Sequence, residues 1–207
     1  MEIQIEETIK WFQKTNAKLQ ANKAYLTDLD QAIGDGDHGI NMARGFNEVI
    51  NKINDTDEYA SVSDVVKDVA MTVISKVGGA AGPLYGTAFL KMSVALKGEE
   101  VVNQQVFAKA LSAGFEGIKQ RGKVEVGEKT LLDVWYPVTE LFRKESDVDA
   151  DALIEVAESA MNKTKEILAT KGRAAYLKER SIGHIDPGSA SSYYLFLSLA
   201  EVMKEAE

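Results

Sequence analysis

Apolar residues recur at three- and four-residue steps along almost the whole chain, which is the helical period. Ile5, Ile9, Phe12 and Leu19, with Trp11 beside them, predict a first helix, and Tyr25, Leu26 and Leu29 a short second one. Ile40, Ala43, Phe46, Val49, Ile50 and Ile53 predict a third. Val62, Val65, Val66, Val69, Val73 and Ile74 are β-branched enough for a strand, yet their spacing is helical, and Ser61 with Asp64 reads as a capping box. Pro83 suits the first turn of the next helix, ahead of Leu84, Ala88, Leu90 and Val94. Val106, Phe107, Ala110, Leu111 and Ile118 mark another. Thr130 and Asp133 read as a second capping box before Leu131, Leu132, Trp135, Val138 and Phe142, a helix that Pro137 should kink. A long helix is expected from about Asp149 through Leu168, and a last one around Tyr193, Tyr194, Leu197 and Val202. The pattern predicts an all-α protein of about eight antiparallel helices in an up-down barrel or bundle, without a strand.

Many glycines fall in four connections: Gly34 to Gly39, Gly78 to Gly82, Gly122 to Gly127, and Gly172 to Gly188. In an up-down bundle alternate connections share an end, so these four are expected to converge on one site, where polar loops on a rigid scaffold carry function. No linker or low-complexity tract divides the 207 residues, and the chain reads as one domain, 1–207. The absence of cysteine excludes disulfides and thiolate metal sites. The acidic start, Met1-Glu2-Ile3-Gln4-Ile5-Glu6-Glu7, has no signal-peptide apolar run, and no stretch has the length of a membrane span. A cytoplasmic protein without membrane or nucleic-acid partners is expected, since the net charge is -8 and no basic stripe is visible. An acidic protein that binds phosphates must screen its own carboxylates, and a divalent cation does that.

Asp30-Gln31-Ala32-Ile33-Gly34-Asp35-Gly36-Asp37-His38-Gly39 carries the strongest chemistry. Gly34 and Gly36 let the backbone turn so that Asp35 and Asp37 can point inward together with Asp30. Hard oxygen ligands suit Mg²⁺, which keeps waters and shares its shell with phosphate oxygens. An EF-hand fails: counted from Asp35, Ile40 takes the glycine position and Phe46 the closing glutamate position. The plainer alternative is a solvated acidic turn capping the next helix. His38 reads as a phosphate-facing donor at a helix start, or as a packed structural histidine.

Gly78-Gly79-Ala80-Ala81-Gly82-Pro83 joins two helices with residues small enough to admit a phosphate to the backbone, although such turns are as common for packing. Gly122-Lys123-Val124-Glu125-Val126-Gly127-Glu128-Lys129-Thr130 is not a P-loop, because Glu128 separates the glycine from Lys129 and no strand precedes it. Lys129 then either meets a phosphate or is solvated. The polar stretch from Gly172-Arg173 to Pro187-Gly188 is of a length that closes over a ligand or is mobile, with Arg173 either a phosphate or ribose contact or an ordinary surface arginine.

Taken in order, Gly34-Asp35-Gly36-Asp37-His38-Gly39, Asn41, Arg44-Gly45-Phe46, Gly78-Gly79-Ala80, Gly82-Pro83, Gly127-Glu128-Lys129-Thr130, Leu132-Asp133-Val134-Trp135, Gly172-Arg173-Ala174, Tyr176-Leu177 and Gly183-His184-Ile185-Asp186-Pro187-Gly188 resemble the nucleotide-binding L subunit of dihydroxyacetone kinase over nearly the whole chain. The resemblance implies an eight-helix barrel with a nucleotide at one end. It implies two Mg²⁺ ions on Asp30, Asp35 and Asp37. It implies ADP or ATP, as a tightly bound coenzyme, on His38, Gly39, Ile40, Asn41, Gly79, Ala80, Gly122, Leu131, Arg173, Asp186, Pro187 and Gly188. A serine frequent after the alanine of the second glycine loop is Ala81 here, which puts a hydroxyl contact there in doubt. No catalytic nucleophile is implied on this chain: a separate K subunit would hold the sugar on a histidine, and a phosphohistidine-carrying M subunit of a phosphotransferase system would recharge the nucleotide. The competing readings are an Mg-ADP-dependent regulatory module and a stand-alone helical metal phosphohydrolase.

Overall fold

A computed structural model describes residues 2–206. Among them the helical period is realised as nine α-helices: α1 (Ile5–Ala21), α2 (Lys23–Ile33), α3 (His38–Asn54), α4 (Val62–Lys76), α5 (Ala81–Leu96), α6 (Gln104–Gly122), α7 (Leu132–Lys144), α8 (Ala150–Lys163) and α9 (Pro187–Ala206). The valine-rich stretch is helical, as its spacing predicts, and the Ser61 hydroxyl accepts the Asp64 N–H at 3.2 Å. Asp149 caps α8 in the same way through Ala152 N–H at 3.0 Å. α8 is shorter than its apolar pattern suggests, ending at Lys163 in a single 3₁₀ turn, Thr164–Glu166. Pro137 lies inside α7. The expectation of no strand needs one small correction: β1 (Glu2–Ile3) and β2 (Val102–Asn103) pair antiparallel over two residues each.

Each of α3 to α8 packs on the next in sequence, α1 packs on α3, and α9 packs back on α1, so eight helices close a ring. α2 sits outside it against α3 and α9. Short connections between helices packed side by side make them antiparallel. The ring is filled by aromatics: Trp11 stacks on Phe12 at 4.7 Å, Phe12 meets Phe89 at 5.4 Å, and Trp135 meets Phe196 at 5.2 Å. Such pairs each add about 0.5–1.5 kcal/mol beyond the area they bury. Ring closure is fixed by a polar bond as well, since Trp11 Nε1 donates to the Leu195 carbonyl at 2.8 Å across the α1–α9 seam.

α5 is the least amphipathic-looking helix of the set and is held from both sides through small residues. A Cβ on Gly86 would fall 2.2 Å from Ile74 of α4, and one on Gly114 of α6 would fall 3.3 Å from the Ala88 carbonyl. The starts of α5 and α3 also lie close together. A Cβ on Gly78, in the turn before α5, would lie 2.6 Å from Asn41 Oδ1.

Candidate functional site

The α2–α3, α4–α5, α6–α7 and α8–α9 connections meet at one end of the ring, around a cavity of about 470 Å³. That is within the range of small-molecule sites. Its walls include Asp30, Asp35, Asp37, His38, Asn41, Gly79, Ala80, Leu131, Arg173, Asp186, Pro187 and Gly188. Three residues singled out from the sequence are not in the walls. Gly39 is spent on packing, for a Cβ there would stand 2.2 Å from the Lys23 carbonyl of α2. Ile40 is exposed on α3, and Gly122 lies behind Leu84, which does line the cavity.

The carboxylate loop is built from Asp30 outward. Asp30 is buried in the last turn of α2, and its Oδ2 accepts the N–H groups of Asp37 at 2.9 Å and His38 at 3.0 Å. These bonds fold residues 34–37 back over α2 and start α3. Gly34 is required at the crossing: a Cβ would sit 2.0 Å from Asp30 Oδ1. Oxygens of Asp30, Asp35 and Asp37 then lie within 4.8 Å of one another, one buried, one half-buried and one exposed. Three converging hard oxygen donors with an open side are the donor set of a divalent cation that keeps room for water or phosphate. Arg173 bonds Asp35 through Nη2 at 2.8 Å. An ion pair this exposed contributes at most about 1 kcal/mol, so the guanidinium is available to a stronger anion.

His38 lines the cavity and also reaches into the protein. Its Nε2 is 2.9 Å from Ser191 Oγ, so one ring nitrogen is engaged inside the protein. Burial, against the pull of Asp30 and Asp37, pushes its pKa down to about 4. The neutral ring ends a buried chain of hydroxyls. Tyr85 OH lies 2.7 Å from both Ser191 Oγ and Ser192 Oγ, and Trp135 Nε1 donates to Ser192 Oγ at 3.2 Å. The indole can only donate, and the Gly188 carbonyl is a further acceptor for Tyr85 OH at 2.9 Å and Ser191 Oγ at 3.0 Å.

Lys129 is neither solvated nor free for phosphate. Its side chain is buried at the floor, and Nζ donates to the carbonyls of Thr164 at 2.5 Å, His184 at 2.5 Å and Ile167 at 3.2 Å. Asp133 works as expected of a capping box on one side only. Its carboxylate accepts the N–H groups of Thr130 at 2.7 Å and Gly127 at 2.5 Å, while the Thr130 hydroxyl accepts from Leu132 rather than Asp133. Asp186 caps α9 through the Ser189 N–H at 2.6 Å, and burial raises its pKa to about 7 despite that bond and Lys129 nearby. Tyr85 and Lys171 line the site without having been singled out, and Thr130, read from the sequence as a helix cap, lines it as well. The run of serines at 189, 191 and 192, opening an otherwise apolar helix, was the available signal for a polar partner such as Tyr85.

A ring of helices with an acidic, glycine-walled cavity at one end defines a class, and sequence comparison identifies it: residues 32–201 match the DAK2 domain, and the chain belongs to that family. Within it, the chain is 51% identical over 193 residues to the ADP-binding subunit DhaL of PEP-dependent dihydroxyacetone kinase 1 of Listeria innocua, covering 93% of this chain and 94% of that one. It is 48% identical to the ADP-binding subunit DhaL of the PTS-dependent dihydroxyacetone kinase of Lactococcus lactis, covering 96% and 98% of the two chains. It is 39% identical to the DhaL subunit of Escherichia coli, over 99% of this chain and 100% of the other. The fold also matches the dihydroxyacetone kinase of C. freundii solved with AMP-PNP and Mg²⁺, with a TM-score of 0.77 at 20% identity. There this chain is covered to 97% and accounts for 34% of the larger one.

Proposed function

We propose that the chain is the ADP-binding subunit of a dihydroxyacetone kinase, a phosphotransferase in which a metal-bound nucleotide carries a phosphoryl group to a sugar held by another subunit. The observation that carries this reading is the cluster of Asp30, Asp35 and Asp37 oxygens within 4.8 Å of one another in the wall of a cavity closed by four loops. It stands beside near-full-length similarity to proteins named as that subunit.

The three aspartates are the ligands we assign to Mg²⁺, two ions in all. Bound there, the ions would neutralise the charge of phosphate oxygens and hold them in line for transfer. The chain's own residues do the rest. Asp30, fixed by two backbone N–H groups, orients the loop that bears Asp35 and Asp37. The start of α5, with Gly79 and Ala80 in the wall, offers unpaired helix-start N–H groups to phosphate without a side chain in the way. Arg173 exchanges Asp35 for a phosphate. Leu131 and the Asp186-Pro187-Gly188 turn form the side that receives the nucleoside. No side chain of this chain is assigned as nucleophile; the K subunit holds the acceptor, and a phosphohistidine on an M subunit is the proposed donor.

The test is direct. Asp35→Ala and Asp37→Ala should abolish retention of ADP in calorimetry with Mg²⁺ while circular dichroism stays helical, and native mass spectrometry of the purified chain should find ADP with two magnesium ions. Mixing the chain with its sugar-binding and donor subunits should phosphorylate dihydroxyacetone. Unchanged nucleotide affinity in both variants would remove the basis of the assignment, and Mg-ADP binding without any sugar phosphorylation would turn it into a regulatory module.

A further inference from the structure

We infer that Lys129 is the clasp of a cover over the nucleotide site, and that this buried ammonium sets how long a nucleotide stays bound. The inference rests on the nucleotide reading above and extends it to a residue with no part in holding metal.

Residues 164–184 form a loop whose two feet are adjacent, and the Lys129 ammonium joins them. It takes the Thr164 carbonyl at the entry, the His184 carbonyl at the exit, and Ile167 beside the entry. Gly183 N–H returns to the Lys165 carbonyl at 2.7 Å and Asp186 N–H to Thr164 Oγ1 at 3.0 Å, so the neck closes on itself around that ammonium. Between these feet the chain runs through a 3₁₀ segment, Arg173–Ser181. The body of the loop carries Lys171, Gly172, Arg173 and Ala174 into the wall of the cavity. Beyond the clasp, its hold on the rest of the molecule is light. Ala169, Ala174 and Leu177 pack on Ile33 in a small apolar patch separate from the main core. Thr170 meets Glu128 through two long bonds, 3.2 and 3.4 Å, and Arg173 makes its exposed pair with Asp35.

The clasp is set in place at a cost. Lys129 has a left-handed backbone, φ 63°, unfavourable by about 1–2 kcal/mol for a residue with a Cβ. It is held so by Asp133, which gathers the N–H groups of the turn around it. A lysine forced into this conformation and buried to serve three carbonyls of one loop is where strain is maintained for position. Lys129 is thus a positioning residue: it touches the cover, and the cover touches the ligand.

A lysine that only supported the fold would alter thermal stability and leave binding kinetics alone, so the two are separable. In stopped-flow measurements with Mg²⁺ and a fluorescent ADP analogue, Lys129→Met should raise the dissociation rate at least tenfold and leave the association rate within twofold. Lys129→Arg, which keeps the charge and several donors, should fall between. Without nucleotide, Lys129→Met should be cut faster by trypsin at Arg173, Lys178 or Arg180, all exposed in the cover, while sites elsewhere are unchanged. If Lys129→Met does not fold, the double variant Glu128→Gln/Thr170→Val, which loosens the same loop at exposed bonds, must move both readouts in the same direction. A folded variant with the parent's dissociation rate and the parent's trypsin pattern overturns the inference. A parent protein that binds no Mg-nucleotide overturns the functional reading instead, and the trypsin comparison still decides whether Lys129 holds the loop.

Discussion

Gly34→Ala adds one methyl group, and the structure predicts that it disables the site while sparing the fold. The new Cβ would lie 2.0 Å from Asp30 Oδ1, 3.0 Å from its Cγ and 2.9 Å from its carbonyl oxygen, so the Asp30 carboxylate has to move. Moving it surrenders the N–H groups of Asp37 and His38, at 2.9 and 3.0 Å. Hydrogen bonds to a charged group are worth about 1.5–3 kcal/mol each, which gives roughly 3–6 kcal/mol for the pair before solvent recovers part of it. A residual loss of about 2–4 kcal/mol, felt where Asp30 must act with Asp35 and Asp37, corresponds to Mg-ADP affinity weakened by roughly 30- to 1000-fold. The control is Gly98→Ala. Its φ of 83° strains an alanine, yet nothing lies within 4 Å of the added Cβ and the position is outside the cavity wall, so stability should fall by about 1–2 kcal/mol with affinity unchanged. Isothermal titration of nucleotide-free protein, paired with thermal melts, measures both. Parent-like affinity in a folded Gly34→Ala protein would show that Asp30 is not held as described, and the construction of the site from that residue would fail.

Further outcomes are expected at the same end of the ring. Asp186 has a pKa raised by burial to about 7, so it contributes stability below about pH 4 that is lost as the pH rises to 7; His38, pushed by burial down to about 4, contributes stability above about pH 6.5 that is lost as the pH falls to 4. The two oppose each other between pH 4 and 6.5. Urea melts of Asp186→Asn should therefore gain stability with rising pH across that window, and those of His38→Gln should lose it, each by up to about 1.4 kcal/mol per pH unit, whereas equal slopes in both variants would contradict the assignment. Tyr85→Phe removes the hydroxyl that joins Ser191 to Ser192, and should cost about 1–3 kcal/mol and change the emission of Trp135, which donates to Ser192; an unchanged melt and spectrum would mean the chain of hydroxyls is not formed. Chelation by EDTA should release bound nucleotide and Mg²⁺ should restore it, read by gel filtration at 260 nm; retention in EDTA would detach binding from the aspartates.

Much of this molecule is legible in its sequence because its determinants are local. The 3.6-residue spacing overrides the β-branched composition of α4, since tertiary burial of one face decides the outcome and Val65, Val66, Val69 and Val73 all point into the core. Gly34, Asp35 and Asp37 sit within a few residues of Asp30, so the acidic loop announces itself. Bonds between distant segments do not. Nothing near Lys129 in the sequence states that its partners are carbonyls some 35 to 55 residues further on, and backbone acceptors leave no trace in residue identity. The surroundings of His38 were hidden for the same reason: Ser191, which its ring meets, is 153 residues away in the sequence. Ile40 fits the apolar stripe of α3 by spacing yet is exposed, and spacing alone does not show which edge of a stripe a neighbour covers.

The seam between α1 and α9 governs how the molecule is made. The ring cannot close until α9 is available, and Trp11 of α1 waits for the Leu195 carbonyl, 184 residues further on. The same helix begins with the turn at Pro187 and Gly188, one wall of the cavity. During translation, then, the aspartate loop leaves the ribosome long before the wall that completes its pocket. Any ligand capture by a chain synthesised only through α8 would lack that wall, and full occupancy has to follow the emergence of α9.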